Sequence, residues 1–166
     1  RSALALPTGG RKIACLFGDG AGAVVVRGTE DPGRGIRSLR LGADGRFADA
    51  LSQKVWDTRN SPFIPKGADG RGIVEKEMMW ARMDGRRVFK NAVEKMILSV
   101  VGTCRDNEIE VSDLDLLVCH QANLRINEYV RDQLGLAAEK VPSNIHKYAN
   151  TTAATIPILL AELERD

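Results

Sequence analysis

The chain is 166 residues long, enough for one domain with a real core or for half of a larger fold. Its 24 lysines and arginines stand against 22 aspartates and glutamates, and a net charge of +2 argues against a polybasic nucleic-acid binder. With 43% apolar and 28% charged residues the balance is that of a soluble globular protein, and the longest apolar runs, Ala23–Val26 and Ile156–Ala161, fall far short of the ~20 residues of a membrane span.

The first residue is Arg1 rather than Met, and Arg1-Ser2-Ala3 does not open a secretory signal, so we read the start as a processed or cut edge. Ile13–Phe17 and Ala21–Arg27 are short apolar runs rich in β-branched residues, predicted as two strands around Gly18-Asp19-Gly20. From Asp31 to Gly72 turn signals at Asp31-Pro32-Gly33, Asp44-Gly45 and Asp69-Gly70 predict a surface excursion or lid, with one strand-like piece at Gly35–Leu41. Then the pattern changes. Val88, Phe89, Ala92, Val93, Met96, Ile97, Val100, Val101 and Cys104 form one helical stripe, with Lys90, Asn91, Glu94, Lys95 and Ser99 opposite.

Leu114–Cys119 reads as a buried strand of a parallel sheet. Asn123–Leu134 reads as a helix with Ile126, Val130 and Leu134 on one side and Gly135 as its stop. Val141–Ile145 is a weaker strand. Thr152–Leu163 is a third helix, capped by its Thr and kinked near Pro157. Strands alternating with helices predict an α/β fold. Cys15, Cys104 and Cys119 are odd in number and widely spaced, without a zinc pattern, and we expect three buried, reduced thiols.

Of the two histidines, His120 directly follows a predicted strand and precedes a helix, the edge where ligands gather in open α/β sheets. Asn150 follows 30 residues later, about one strand–helix–strand–loop unit. A parallel crossover would bring both to one sheet edge as two neutral donors suited to a developing oxyanion. Alternatively, Asn150 is a loop residue bonding its own backbone near a helix start, and spacing leaves the two readings even. Gly18-Asp19-Gly20-Ala21-Gly22 is not a phosphate loop: no Gly-Lys-Ser/Thr follows, and it runs into Val24-Val25-Val26. Its glycines fit a tight turn and close backbone packing instead.

Four segments carry a resemblance: His120-Gln121-Ala122-Asn123-Leu124-Arg125-Ile126, Asn150-Thr151-Thr152-Ala153-Ala154-Thr155-Ile156-Pro157, Phe17-Gly18-Asp19-Gly20-Ala21-Gly22-Ala23 and Met83-Asp84-Gly85-Arg86-Arg87-Val88-Phe89. In this order they closely resemble the carboxy-terminal half of β-ketoacyl-acyl carrier protein synthase III, a condensing enzyme of the thiolase fold. The similarity covers nearly the whole chain and is weakest between about Phe47 and Trp80.

The resemblance implies one half of a five-layer αβαβα sandwich, with a mixed sheet and flanking helices spanning residues 1–166. It implies a Cys-His-Asn triad in which His120 and Asn150 match the last two members. The nucleophilic cysteine and the closing strands are expected to lie outside this chain, so the isolated chain is expected to be inactive. The implied reaction loads a short acyl group from a coenzyme A thioester and condenses it with malonyl-acyl carrier protein, with loss of carbon dioxide. No metal or redox cofactor is implied.

By the same resemblance Gly85 and Phe89 line the pantetheine tunnel, and Asn123 and Arg125 lie near its entrance and the carrier-protein docking face. Arg82, Arg86, Arg87, Arg125 and Arg131 are candidates to meet an acidic carrier protein; the plainer reading is solvated helix surface balanced by Glu75, Glu77, Glu128 and Asp132. A cytoplasmic homodimer is expected. A divergent acyltransferase making polyketides, quinolones or esters, and a non-catalytic carrier-binding module, are the alternatives.

Overall fold

The computed structural model of the chain describes residues 11–53, 66–70 and 80–165, with residues 11 and 12 as backbone only. The chain divides into two compact units, residues 1–16 with 44–88 and residues 17–43 with 89–166.

In the first unit a short helix α1 (Arg11–Ala14) precedes a 3-10 turn, Gly45–Ala50, that buries Ala50. Asp44 starts that turn by accepting the Arg46 backbone N–H at 3.2 Å, the use a turn-opening Asp is suited to. Strands β1 (Leu51–Ser52) and β2 (Arg82–Met83) pair antiparallel, with Leu51 opposite Met83. Asp84 closes the pairing by donating its N–H to Ala50 and accepts the Arg87 N–H on its side chain, so it caps the following helix. The Arg46 and Arg87 guanidiniums stack on the Phe47 ring at 5.7 and 5.3 Å.

Helix α2 (Gly85–Asp106) contains the whole predicted stripe, and from Phe89 onward it belongs to the second unit. There Val93 meets Ile126 and Val130 of helix α3 (Leu124–Leu134), with Phe89, Ala92, Met96 and Ile97 around them. Met96, Leu117 and Leu134 join this cluster to a second one of Cys119, Leu136 and Val141, so the two clusters are continuous. Each fully buried Val or Ile there contributes roughly 1.5–3 kcal/mol. Helix α3 ends as the sequence predicts, at Gly135 in the left-handed region with φ 66°, where its N–H returns to Arg131 and Asp132.

The strand predictions fare differently. Among the described residues the only sheet is β1–β2, and the expected mixed sheet is not formed as a hydrogen-bonded ladder. Arg11–Ala14 is helical, and Phe17 makes a single parallel bridge to Asn150. Ala21–Arg27, Gly35–Leu41 and Leu114–Cys119 run without a ladder; the last is tied to a distant segment by the bond from Leu117 N–H to the Lys140 carbonyl at 2.7 Å. β-Branched residues favour an extended chain, but a ladder also needs a second backbone about 4.8 Å away. Among the described residues no strand pairs with Val24, Val25 or Val26, which are 66, 96 and 80% exposed.

The predicted strand Val141–Ile145 instead leads into a single helical turn, α4 (Ile145–Tyr148). The third helix begins with a 3-10 turn, Thr152–Ala154, before α5 (Thr155–Leu163). Pro157 therefore sits in the first turn of α5, where a missing N–H costs nothing. Cys104 and Cys119 are buried as expected; Cys15 is exposed, because it follows α1 rather than lying inside a strand. The turns at Asp31 and Gly70 form, while residues 54–65 and 71–72 of the predicted excursion, and Glu75 and Glu77 after it, lie outside the described residues.

Candidate active site

The second unit is built so that two polar side chains answer to one turn. His120 ends the extended run from Leu114, held beside a fully buried Gln121. The Gln121 amide donates to the Cys119 carbonyl at 2.9 Å and accepts the Ser143 hydroxyl at 2.6 Å. The His120 ring reaches Thr155 at the start of α5, with Nδ1 2.6 Å from Oγ1. Partial burial holds the imidazole below its ordinary pKa of 6.5, which favours the neutral ring.

Asn150 is buried, and its side-chain Oδ1 accepts the Thr152 N–H at 2.9 Å. That is the local backbone bond of the plainer reading, and it also decides the orientation of the amide. With Oδ1 committed, Nδ2 is the free end, and no described residue takes a hydrogen bond from it. His120 and Asn150 are therefore brought together on the turn Thr152–Thr155 rather than on adjacent parallel strands.

Two contacts fix the Asn150 backbone. Its carbonyl accepts the Gly18 N–H at 3.0 Å, and Gly18, Gly20 and Gly22 lie directly against residues 148–157. A Cβ on Gly18 would stand 2.1 Å from the Tyr148 carbonyl oxygen, and one on Gly22 would stand 2.5 Å from Pro157. Close packing is thus what these glycines permit. On the other side Glu162 of α5 gathers three donors from the segment before Asn150: Asn144 at 2.7 Å, Tyr148 at 2.8 Å and Lys147 at 3.1 Å. Those bonds, Asn144 foremost, pull the Glu162 carboxyl down to about 2, and the bond to Glu162 raises the Tyr148 phenol above its ordinary range.

The backbone around Asn150 is strained. Ala149 has φ 58° and ψ −164°, a region left almost wholly to glycine, and β-branched Thr152 has φ 56°. Strain on both sides of one polar residue is the kind that accumulates at working sites.

The remaining candidates are placed as follows. Asn123 caps α3, its Oδ1 accepting the Arg125 N–H at 3.0 Å. Arg125 is exposed on the first turn of α3, with no acidic residue in that turn and no ion pair among the described residues. A cation at the positive end of a helix dipole is unfavourable for the isolated fold. Phe89 packs edge-on to Tyr129, centroids 6.0 Å apart, within the α2–α3 contact. Gly85 opens α2, in the first unit. Of the other basic residues, Arg131 is paired with Asp132 at 2.7 Å and Arg87 stacks on Phe47, while Arg82 and Arg86 are exposed. Cys119 is buried, and burial pushes its thiol up to about 11, away from nucleophilic use.

Thr155, Gln121 and Glu162 were not singled out by sequence reasoning as site residues. Thr155 and Gln121 lie inside the two motifs around Asn150 and His120, while Glu162 has no local signal. Among the described residues no helix is long and apolar enough to cross a membrane.

Two family models match the chain: "3-Oxoacyl-[acyl-carrier-protein (ACP)] synthase III C terminal" over residues 104–166 and "3-Oxoacyl-[acyl-carrier-protein (ACP)] synthase III" over residues 4–45. The chain is 40% identical over 155 residues to a β-ketoacyl-[acyl-carrier-protein] synthase III of Clostridium tetani, covering 93% of this chain and 46% of that protein. It is 41% identical over 152 residues to one of Bacillus pumilus. Among solved structures, β-ketoacyl-[acyl carrier protein] synthase III from Thermus thermophilus aligns with TM-score 0.73 and 33% identity, over 97% of this chain and 46% of that one. The Pseudomonas aeruginosa enzyme aligns with TM-score 0.59 and 38% identity over 75% of this chain. The chain thus spans about half the length of the curated relatives it matches.

Proposed function

The chain belongs to the 3-oxoacyl-[acyl-carrier-protein] synthase III family and shares its thiolase-like α/β fold, and from this we propose that it supplies the decarboxylation half of a condensing active site. The observation that carries the reading is the shared turn: His120 and Asn150 each commit an atom to Thr152–Thr155, which leaves the Asn150 Nδ2 amide and the His120 Nε2 for a ligand.

The full reaction runs in two steps. A cysteine thiolate attacks the carbonyl of a short acyl-coenzyme A, and the coenzyme A thiolate leaves, giving an acyl-enzyme. Malonyl-acyl carrier protein then loses carbon dioxide; the electron pair of the broken C–C bond passes into the thioester enolate. Its carbon attacks the acyl carbonyl and expels the cysteine thiolate. His120 and Asn150 donate to the malonyl thioester oxygen as its negative charge grows. The sequence is redox-neutral and its developing charge is met by N–H donors, so no metal or redox cofactor enters.

A buried thiol held at about 11 makes Cys119 a poor nucleophile, and we assign that role to a cysteine of the relatives' length that this chain does not span. The exposed cation of Arg125 at a helix N-terminus, without an ion pair among the described residues, supports contact with an acidic carrier or with the phosphates of coenzyme A. The same reading carries a cytoplasmic homodimer.

The test is made in a full-length enzyme containing this chain. His120→Ala and Asn150→Ala each lower malonyl-thioester decarboxylation by about 10²–10³, the worth of one oxyanion donor, while acyl transfer to the cysteine continues. Decarboxylation at the parent rate in either variant rejects the assignment.

A further inference from the structure

Residues 140–143 run beside 117–121 in the same direction, and the contacts between them change character along the way. The Lys140 carbonyl accepts the Leu117 N–H at 2.7 Å, Val141 and Cys119 share one buried cluster, and Ser143 meets Gln121 through side chains. Gln121 is 0% exposed, so both ends of its amide need partners within the protein. The Cys119 carbonyl, 2.9 Å from one end, can only accept; it fixes Nε2 there and turns Oε1 toward Ser143 Oγ at 2.6 Å. Ser143 must then donate.

The residue enclosed by these bonds is His120. The carbonyl before it is taken by the Gln121 amide, and its own carbonyl by the Ala122 N–H at 3.0 Å. The Gln121 side chain thus folds back across His120 and fixes the backbone from which the imidazole projects. Among the described residues the Ser143 hydroxyl is the donor that holds Oε1. Asn144, the next residue, donates to Glu162 of α5 at 2.7 Å, so the segment carrying Ser143 is anchored to the helix whose first residue, Thr155, meets the ring.

We propose that Ser143 is a positioning residue for His120: acting through Gln121, it locks the backbone at the root of the imidazole, while Thr155 meets the ring at its edge. The inference rests on the reading of His120 as part of a decarboxylation site. It adds to that site a residue outside all four segments that carry the family resemblance. Without the hydroxyl, Oε1 is left buried without a partner, the amide turns, and the Cys119 carbonyl loses its donor.

In a full-length enzyme containing this chain, Ser143→Ala lowers kcat for malonyl-thioester decarboxylation about tenfold and leaves KM unchanged, within the ~10²-fold that a small misplacement can cost. Acyl transfer to the cysteine continues at the parent rate. Ser143→Thr, which keeps the hydroxyl, restores decarboxylation, and Ser143→Gly repeats the loss if alanine prevents folding. Where His120→Ala has lost decarboxylation, an unchanged kcat in Ser143→Ala, a loss seen in KM instead, or one that threonine does not restore overturns the proposal. Where His120→Ala keeps decarboxylation, the reading of the site has failed, and a measurement without turnover decides on Ser143. It follows the His120 ring Cε1–H and Cδ2–H resonances on this chain, which has only two histidines, with His146→Gln to assign them. They move in Ser143→Ala and return in Ser143→Thr; resonances indifferent to the hydroxyl overturn the proposal.

Discussion

Asn144 and Glu162 are joined by a 2.7 Å hydrogen bond that ties the last helix to the segment leading into Asn150. The amide is buried, and the carboxylate also accepts from Lys147 and Tyr148.

Glu162 is held at about 2 against an ordinary 4.5, so the folded chain favours its ionised form. The contribution is fully present above about pH 4.5 and is lost as the pH falls toward 2, because the unfolded chain binds that proton first. Glu162→Gln should therefore unfold at lower urea than wild type at pH 7, with the gap closing across that acid window. Urea midpoints measured from pH 7 to 2 check it; a gap that stays constant removes Glu162 as the titrating partner.

Ala149 holds a backbone conformation that costs an alanine roughly 1–3 kcal/mol and a glycine little. Ala149→Gly should stabilise the chain by about 1 kcal/mol after the extra chain entropy of glycine is subtracted. This is the reverse of the usual effect of that substitution. A urea midpoint that falls would show the strain is not there.

Gly22→Ala places a Cβ 2.5 Å from Pro157 Cγ and 2.7 Å from its Cβ, in a ring that cannot swing aside. Overpacking of this kind costs about 1–3 kcal/mol. Gly28→Ala is the control, since nothing lies within 4 Å of its new Cβ, and it should change stability by less than about 0.5 kcal/mol. Equal thermal midpoints for the two variants would mean that the glycine strip does not press on residues 148–157.

Much of this was legible in the sequence, and unevenly. Helices α2 and α3 could be read because their information is local: a 3.6-residue stripe from Val88 to Cys104, a cap at Asn123 and a stop at Gly135. Extended segments can be recognised by composition, but their pairing depends on distant backbone, and so Ala21–Arg27 and Leu114–Cys119 read as ladder strands while no ladder forms on them among the described residues. In the site, His120 stands out as one of two histidines and Asn150 by its spacing of 30 residues from it. Thr155 does not, because a Thr opening a helix is ordinary until the ring beside it is known. The strain at Ala149 has no sequence signal short of comparison with relatives.

The turn Thr152–Thr155 acts as a common mount for two groups that are 30 residues apart in the chain. When the start of α5 drifts, both groups travel with it, so the error in their separation is smaller than the error in either position. A pair carried on two independent elements would add its errors instead. What the turn preserves under thermal motion or mild substitution is the spacing of the pair, and it is spacing, more than absolute location, that decides whether two hydrogens meet one oxygen.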